Sequence, residues 1–101
     1  MMVMRSVMAH ASFYLGQHEV ALGWAEQMLQ HRPNNHPGLR IGTASAAFAN
    51  QRETASRLAA RLLVNDQAFR VSRLKEYLGP YRSSEFVEKY SEGLRRAGLP
   101  E

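Results

Sequence analysis

The sequence repeats itself after 34 residues, and this internal repeat restricts the fold more than any other feature. Sliding the chain against itself by that distance gives five identities in one short window: Gln17 with Gln51, Glu19 with Glu53, Ala21 with Ala55, Ala25 with Ala59 and Leu29 with Leu63. Gly16 falls on Asn50, and Gly and Asn are the residues that most readily adopt the left-handed conformation ending a helix. The turn between two helices is therefore repeated together with the helices.

The spacing of apolar residues predicts two helical hairpins. Apolar side chains recur at steps of three and four, which predicts helices over 2–15, 18–31, 38–49 and 52–64. The two prolines of segment 32–38 should lie outside the helices, because proline cannot occupy a helix interior. We expect Ala21 and Ala55 to be buried where paired helices touch. No segment shows the alternation typical of a strand.

After residue 69 a third unit starts and is not completed. A short helix is predicted over 71–78, and Gly79 and Pro80 terminate it. The last helix begins at Ser83 or Ser84, either of which can cap it. Its inward residues are Phe86, Val87, Tyr90 and Leu94. We interpret this helix as a terminal cap buried against the second hairpin.

Length and composition set broad limits on the class of protein. A chain of 101 residues suits one small domain. Because it contains no cysteine, disulfide scaffolds, thiol nucleophiles and thiolate zinc sites are excluded. The absence of cysteine is compatible with a reducing compartment, and we expect a cytoplasmic protein. No stretch approaches the ~20 apolar residues that cross a bilayer, so we expect neither a membrane span nor a signal peptide.

The repeated residues resemble the tetratricopeptide repeat family. In that family a Gly closes the first helix, two small residues follow where the helices touch, and a Pro ends the unit. The first unit here has Gly16, Ala21, Ala25 and Pro33, and the second has Asn50, Ala55 and Ala59, with Gln67 in place of the proline. The match covers about residues 2–69, but the large aromatic usual early in the first helix is replaced by Arg5 and Leu39.

The resemblance implies an all-α, right-handed α-α superhelix with a C-terminal capping helix. Residues 1–101 would form one domain, with repeat one at 1–35, repeat two at 36–69, and an incomplete third unit and cap at 70–101. The tail at 94–101 is similar to the C-terminal end of bacterial signalling proteins that join such repeats to an adenylate cyclase domain or a transcription regulator. This second resemblance implies a C-terminal regulatory piece of a larger protein, with any cyclase chemistry located elsewhere.

Enzyme, cofactor and metal signatures are missing from the sequence, so we expect a non-enzyme without a cofactor. Asp66 is the only aspartate, and no Gly-rich phosphate loop occurs. His18 and Glu19 begin like a zinc-protease motif, but Leu22 stands where the second histidine is needed. His31 and His36 flank the proline turn without a nearby carboxylate or cysteine to complete a metal site.

In the family, the first helix of each hairpin lines a concave groove that binds proteins or peptides. The resemblance therefore implies eight groove residues: Ser6, His10, Phe13, Tyr14, Arg40, Ala44, Ala47 and Phe48. Ser6 and His10 occupy the first two positions of the carboxylate clamp found in some members, where Lys and Asn are required, so the clamp is lacking. Tyr14 and Phe48 either hold apolar side chains of a partner or form core between the repeats.

Charge is concentrated in segment 40–75, which carries seven Lys or Arg against two carboxylates. Such an excess attracts phosphate or an acidic protein segment. The alternative is a solvated outer face, since Arg57 and Arg61 lie on the second helix of their unit. No recognition helix or aromatic RNA platform accompanies the arginines, which disfavours nucleic acid as the partner.

Several apolar residues of the first helix lack a predicted covering element. Met1, Met4, Val7 and Met8 would form an adaptable apolar surface. We expect a second copy to cover it in a homodimer formed through the N-terminal hairpin. Alternatively, these residues are a frayed start or are covered by an upstream domain.

The sequence thus predicts a protein-interaction or regulatory module. A structural spacer or dimerisation element is the second hypothesis, and a nucleic-acid-binding module is the third.

Overall fold

The computed structural model of the chain describes residues 2–78 and 83–101, and within these ranges it contains helices and turns but no strand. The helices are α1 (Met2–Tyr14), α2 (His18–His31), α3 (His36–Phe48), α4 (Arg52–Asn65), α5 (Leu74–Leu78) and α6 (Ser84–Arg96), with a 3-10 turn at Val71–Arg73 before α5. The predicted all-α class is confirmed.

Neighbouring helices pack in pairs. α1 packs on α2, α2 on α3, and α3 on α4, and α6 returns to pack on α3. Ala21 and Ala55 are both buried, as expected for small residues where the paired helices touch. The two hairpins thus share one core, to which α6 contributes from the C-terminal side.

The turns of the two hairpins have the same backbone geometry. Gly16 and Asn50 both have positive φ, +83° and +62°, which confirms the predicted left-handed turn residues. In the first turn the amide of Gln17 donates to the carbonyl of Ser12 at 2.9 Å. In the second, the amide of Gln51 donates to the carbonyl of Ala46 at the same distance. These bonds close the ends of α1 and α3 in the same way.

The start of α3 differs from the prediction by two residues. Pro37 lies inside the first turn of α3, and Asn35 caps the helix by accepting a hydrogen bond from the amide of Gly38 at 2.8 Å. The expectation that both prolines lie outside the helices was wrong for Pro37. The first helical turn tolerates proline because its amides have no partner within the helix.

The C-terminal helix begins at a predicted cap. Ser83 accepts a hydrogen bond from the amide of Phe86 at 3.1 Å, and the side chains of Phe86, Tyr90 and Leu94 are buried, as expected. Val87, also predicted to point inward, is only half-buried. The chain end is also bound, since the amide of Val71 donates to the carbonyl of Pro100 at 2.9 Å. The predicted helix terminator at 79–80 lies outside the described residues.

Replacing Gly16 tests the repeated turn. A Cβ added at Gly16 would meet only Lys89 Nζ, at 4.0 Å, so the cost of a side chain comes from the positive φ alone. We expect Gly16→Val to lower the free energy of unfolding by about 1 to 2 kcal/mol, measured by urea unfolding. Asn50→Gly should be tolerated. As a control, Gly23→Ala in the open interior of α2 should raise stability by up to about 1 kcal/mol. A Gly16→Val chain as stable as the parent would contradict the assignment.

Candidate functional site

The eight predicted groove residues lie on α1 and α3, and their side of the two helices, which we call the α1–α3 face, is largely covered by α6. Four come from α1 and four from α3. α6 packs along α3 and reaches α1 through its aromatic side chains. The face is thus occupied by a helix of the same chain.

Aromatic rings form the contact between α6 and α1. The Phe13 ring centroid lies 5.4 Å from that of Tyr90 and 6.1 Å from that of Phe86. His10 lies 5.9 Å from Tyr90, and Tyr14 lies 5.6 Å from Phe86, again between ring centroids. Offset and edge-on pairs at these distances add to the stabilisation from burial. Three of the predicted groove residues of α1 therefore already hold apolar side chains, those of α6.

A glycine allows α6 to approach α3 closely. A Cβ built on Gly93 would lie 2.9 Å from the Cβ of Ala44 and 3.0 Å from its Cα and its carbonyl oxygen. Real Cβ atoms essentially never come that close to a neighbour. Ala44 corresponds to His10 after the 34-residue shift. At these equivalent positions, α6 therefore meets a large ring on α1 and a small residue on α3.

Two cations of α6 border Phe48. Lys89 Nζ donates to the carbonyl of Phe13 at 3.1 Å and lies 5.9 Å from the Phe48 ring centroid. The guanidinium carbon of Arg96 lies 4.6 Å from the same centroid. Cations over an aromatic face are attracted by its quadrupole, so Phe48 contributes to holding α6 in place. Ala47 lines a cleft together with Arg96 and Ala97.

Two predicted groove residues have other surroundings. Arg40 is buried, and its guanidinium lies 4.9 Å from the ring of Tyr77 in α5. The Tyr77 hydroxyl donates to Asp66 at 3.3 Å, and burial first, then the Asp66 charge, raises the pKa of that hydroxyl. Ser6 is half-buried, and its carbonyl accepts a hydrogen bond from His10 Nδ1 at 2.8 Å. Without Arg40 and Ser6, the α1–α3 face consists of the six remaining residues beneath α6: His10, Phe13, Tyr14, Ala44, Ala47 and Phe48.

Sequence reasoning missed His18 as a member of this site. The His18 ring stacks on Phe48 at 4.9 Å between centroids and meets the edge of Phe13 at 5.5 Å. Burial lowers the pKa of His18 from 6.5, and the positive charge of Lys89 lowers it further. The available signal was its place at the start of α2 directly after the Gly16 turn, which brings it to the ends of α1 and α3.

The basic segment is not one open surface. Arg40 is buried against Tyr77, and Arg73 forms an ion pair with Glu76 at 3.0 Å. Arg61 donates to the carbonyl of Pro33 at 3.4 Å, and Arg70 to that of Phe69 at 2.6 Å. Four of the seven cations are thus engaged within the chain.

Across residues 2–78 and 83–101, no three His, Cys, Asp or Glu side chains gather in a way that could hold a metal ion. In the same ranges, no helix has both the length and the apolar character needed to span a bilayer.

Comparison of the chain with protein-family models, with curated proteins and with solved structures gave no match.

Substituting Gly93 tests the close approach of α6 to α3. Intrinsic helix propensity alone favours Ala over Gly by about 1 kcal/mol. At this position we expect the opposite sign, a loss of about 1 to 3 kcal/mol for Gly93→Ala, because backbone atoms of Ala44 cannot move away. Urea unfolding beside Gly23→Ala, where the added Cβ meets nothing within 4 Å, separates the two effects. Equal gains in both variants would show that α6 does not contact α3 at Gly93.

The lowered pKa of His18 predicts that stability depends on pH. Between the lowered folded pKa and the unfolded value near 6.5, the unfolded chain binds a proton that the folded chain does not. The free energy of unfolding should therefore fall as pH decreases through 6.5 and level off below the folded pKa. Urea unfolding from pH 5 to pH 8 should show a smaller slope for His18→Gln than for the parent. Identical slopes would refute the contribution of His18.

Proposed function

We propose that this chain is a tetratricopeptide-like interaction module whose α1–α3 face holds an amphipathic helix. Support comes from the two hairpins, which repeat after 34 residues with the same turn hydrogen bonds and the same buried alanines. A right-handed α-α superhelix is the arrangement we propose for longer arrays of such units. The module has no catalytic role in this proposal and uses no cofactor.

The observation that carries the proposal is the helix already seated on the face. α6 presents Phe86, Tyr90 and Leu94 at steps of four, and all three are buried. Helix-in-groove recognition uses this spacing, in which residues four apart stand on one side of a helix. The face thus has the shape and chemistry to accept a helix, and a partner helix would bind where α6 lies.

The charges on α6 define further features of the partner. Lys89 and Arg96 place cations against Phe13 and Phe48. A partner helix should therefore carry three large apolar residues spaced four positions apart. It should also have a small residue at the place of Gly93, where the helix crosses Ala44, and Lys or Arg beside the Phe48 ring. Such a helix would compete with α6 for the same surface.

The wider setting is also a proposal. The tail resemblance supports placing the module at the C-terminal end of a larger bacterial signalling protein in the cytoplasm, where binding at the α1–α3 face would regulate a neighbouring domain. A dimerisation element is the second candidate, supported by the exposed apolar side of α1 described below. Nucleic-acid binding comes third, because four of the seven cations in the basic segment have partners within the chain.

A labelled peptide with the sequence of residues 83–97 tests the proposed function. We expect it to bind the 101-residue Gly93→Ala chain about tenfold or more tightly than the parent, because the resident α6 is then a weaker competitor. Fluorescence anisotropy measures both affinities, and a circular dichroism spectrum checks that each chain is folded.

The peptide and the chain each have a control. A peptide with Phe86→Ser and Tyr90→Ser should lose binding, and the Gly23→Ala chain should behave like the parent. If neither the parent nor the Gly93→Ala chain binds the unmodified peptide, the α1–α3 face is ordinary protein interior and the proposal fails.

A further inference from the structure

One side of α1, continued by the first residue of the turn that follows it, is apolar and exposed. Val7 is 58% exposed, Met8 38%, Tyr14 50% and Leu15 72%, and Ala11 between them is also exposed. We call these five residues the α1 stripe. On a helix of 3.6 residues per turn they occupy a continuous arc of about 120°. Contiguous exposed apolar surface is a feature of interaction sites on folded domains.

The internal repeat shows what covers an equivalent surface. Shifted by 34 residues, Val7 corresponds to Ile41 and Ala11 to Ser45, and both are fully buried in α3. Met8 corresponds to Gly42, whose added Cβ would lie 3.1 Å from Leu58 Cδ1 in α4 and 3.3 Å from the Cβ of Ala25 in α2. The positions of α3 that correspond to Val7, Met8 and Ala11 therefore lie in a side that packs against α2, whereas on α1 the same positions are exposed.

A second copy stacked head to tail does not supply that helix. In such a stack the second copy would offer its helix α4. The α4 residues involved are those that correspond, after the 34-residue shift, to the α2 residues that pack on α3. Ala59, the equivalent of Ala25, is 5% exposed, and Leu62, the equivalent of Met28, is fully buried. This surface of α4 is already covered within the chain, so it cannot receive α1 of another copy. The apolar surface that a second copy does leave exposed is its own α1 stripe.

The order of residues in the stripe is symmetric about its centre. In an antiparallel pair of α1 helices with Ala11 opposite Ala11, Val7 lies opposite Leu15 and Met8 opposite Tyr14. Each contact pairs apolar side chains, and the small central residue allows the two helices to cross closely. A two-fold axis requires this self-complementarity, since the same patch contributes both sides of the interface.

We propose that two copies of this chain form a two-fold dimer in which the α1 helices pack antiparallel through the α1 stripe and cross at Ala11. The dimer surface shares with the α1–α3 face only Tyr14, whose ring contacts Phe86 of α6 while half of the residue stays exposed. A helix of the length of α1 is about 20 Å long. The area that one side of it can bury is smaller than the roughly 800 Å² that each partner buries in a standard interface. The dimer therefore dissociates on dilution.

Charge exchange at Ala11 tests both the dimer and its symmetry. Sedimentation equilibrium over a concentration series should show reversible dimerisation of the parent chain. Ala11→Glu and Ala11→Lys should each be monomeric, because the axis brings like charges together. An equimolar mixture of the two should recover the dimer, because the glutamate of one copy then faces the lysine of the other. Ala60→Glu, an equal change on the exposed side of α4, should dimerise like the parent.

Each remaining outcome would overturn the proposal. A parent chain that stays monomeric at high concentration assigns the stripe to a helix of another protein or of a longer form of this chain. A dimer that survives Ala11→Glu lies elsewhere on the molecule. Monomeric single variants that fail to recover in the mixture exclude an axis through Ala11. Thermal melts of all variants, which change only exposed positions, verify that they fold.

Discussion

Two hairpins of 13- and 14-residue helices leave one apolar side of α1 and α3 without a cover, and the docking of α6 on that side is the contact on which the rest of the structure depends. Phe13 and Tyr90, both fully buried, are in contact there from opposite ends of the chain. Burying a large aromatic side chain stabilises a domain by about 1.5 to 3 kcal/mol. In a chain of this size, whose total stability is small, such a contact supplies a large share of the free energy of folding.

The same contact combines packing with charge. Lys89 donates to the carbonyl of Phe13 in the last turn of α1, which also accepts from the amide of Gly16 at 3.0 Å. A cation is favourable at this negative end of the helix. His18 stacks on the neighbouring Phe48, where burial and Lys89 together disfavour its protonated form. A proton on His18 and the seat of α6 are therefore energetically linked, although they lie on different helices.

The two ends of the helix array are treated differently. At the C-terminal end, α6 and the extended tail cover the second hairpin, and the amides of Val71 and Ser72 donate to the carbonyls of Pro100 and Glu101. At the other end, the outer side of α1 exposes the α1 stripe. A stack of helical hairpins ends stably where its last apolar side is covered, so the open side of α1 is the place where further packing is expected.

Interactions between residues close in the chain let the sequence determine the helices, turns and caps of this protein. They did not determine which helices pack against one another. Helix periods, the Gly16 and Asn50 turns and the Ser83 cap depend on residues within a few positions of one another, and all are found as predicted. Pro37 was misplaced because a first helical turn and a loop tolerate proline equally well. The residues of the α1–α3 face could be placed together from the repeat, but neither their cover nor His18 followed from it. Only the tertiary structure decided that α6 crosses back over α1 and α3, because that path depends on a glycine and an alanine 49 positions apart meeting in space.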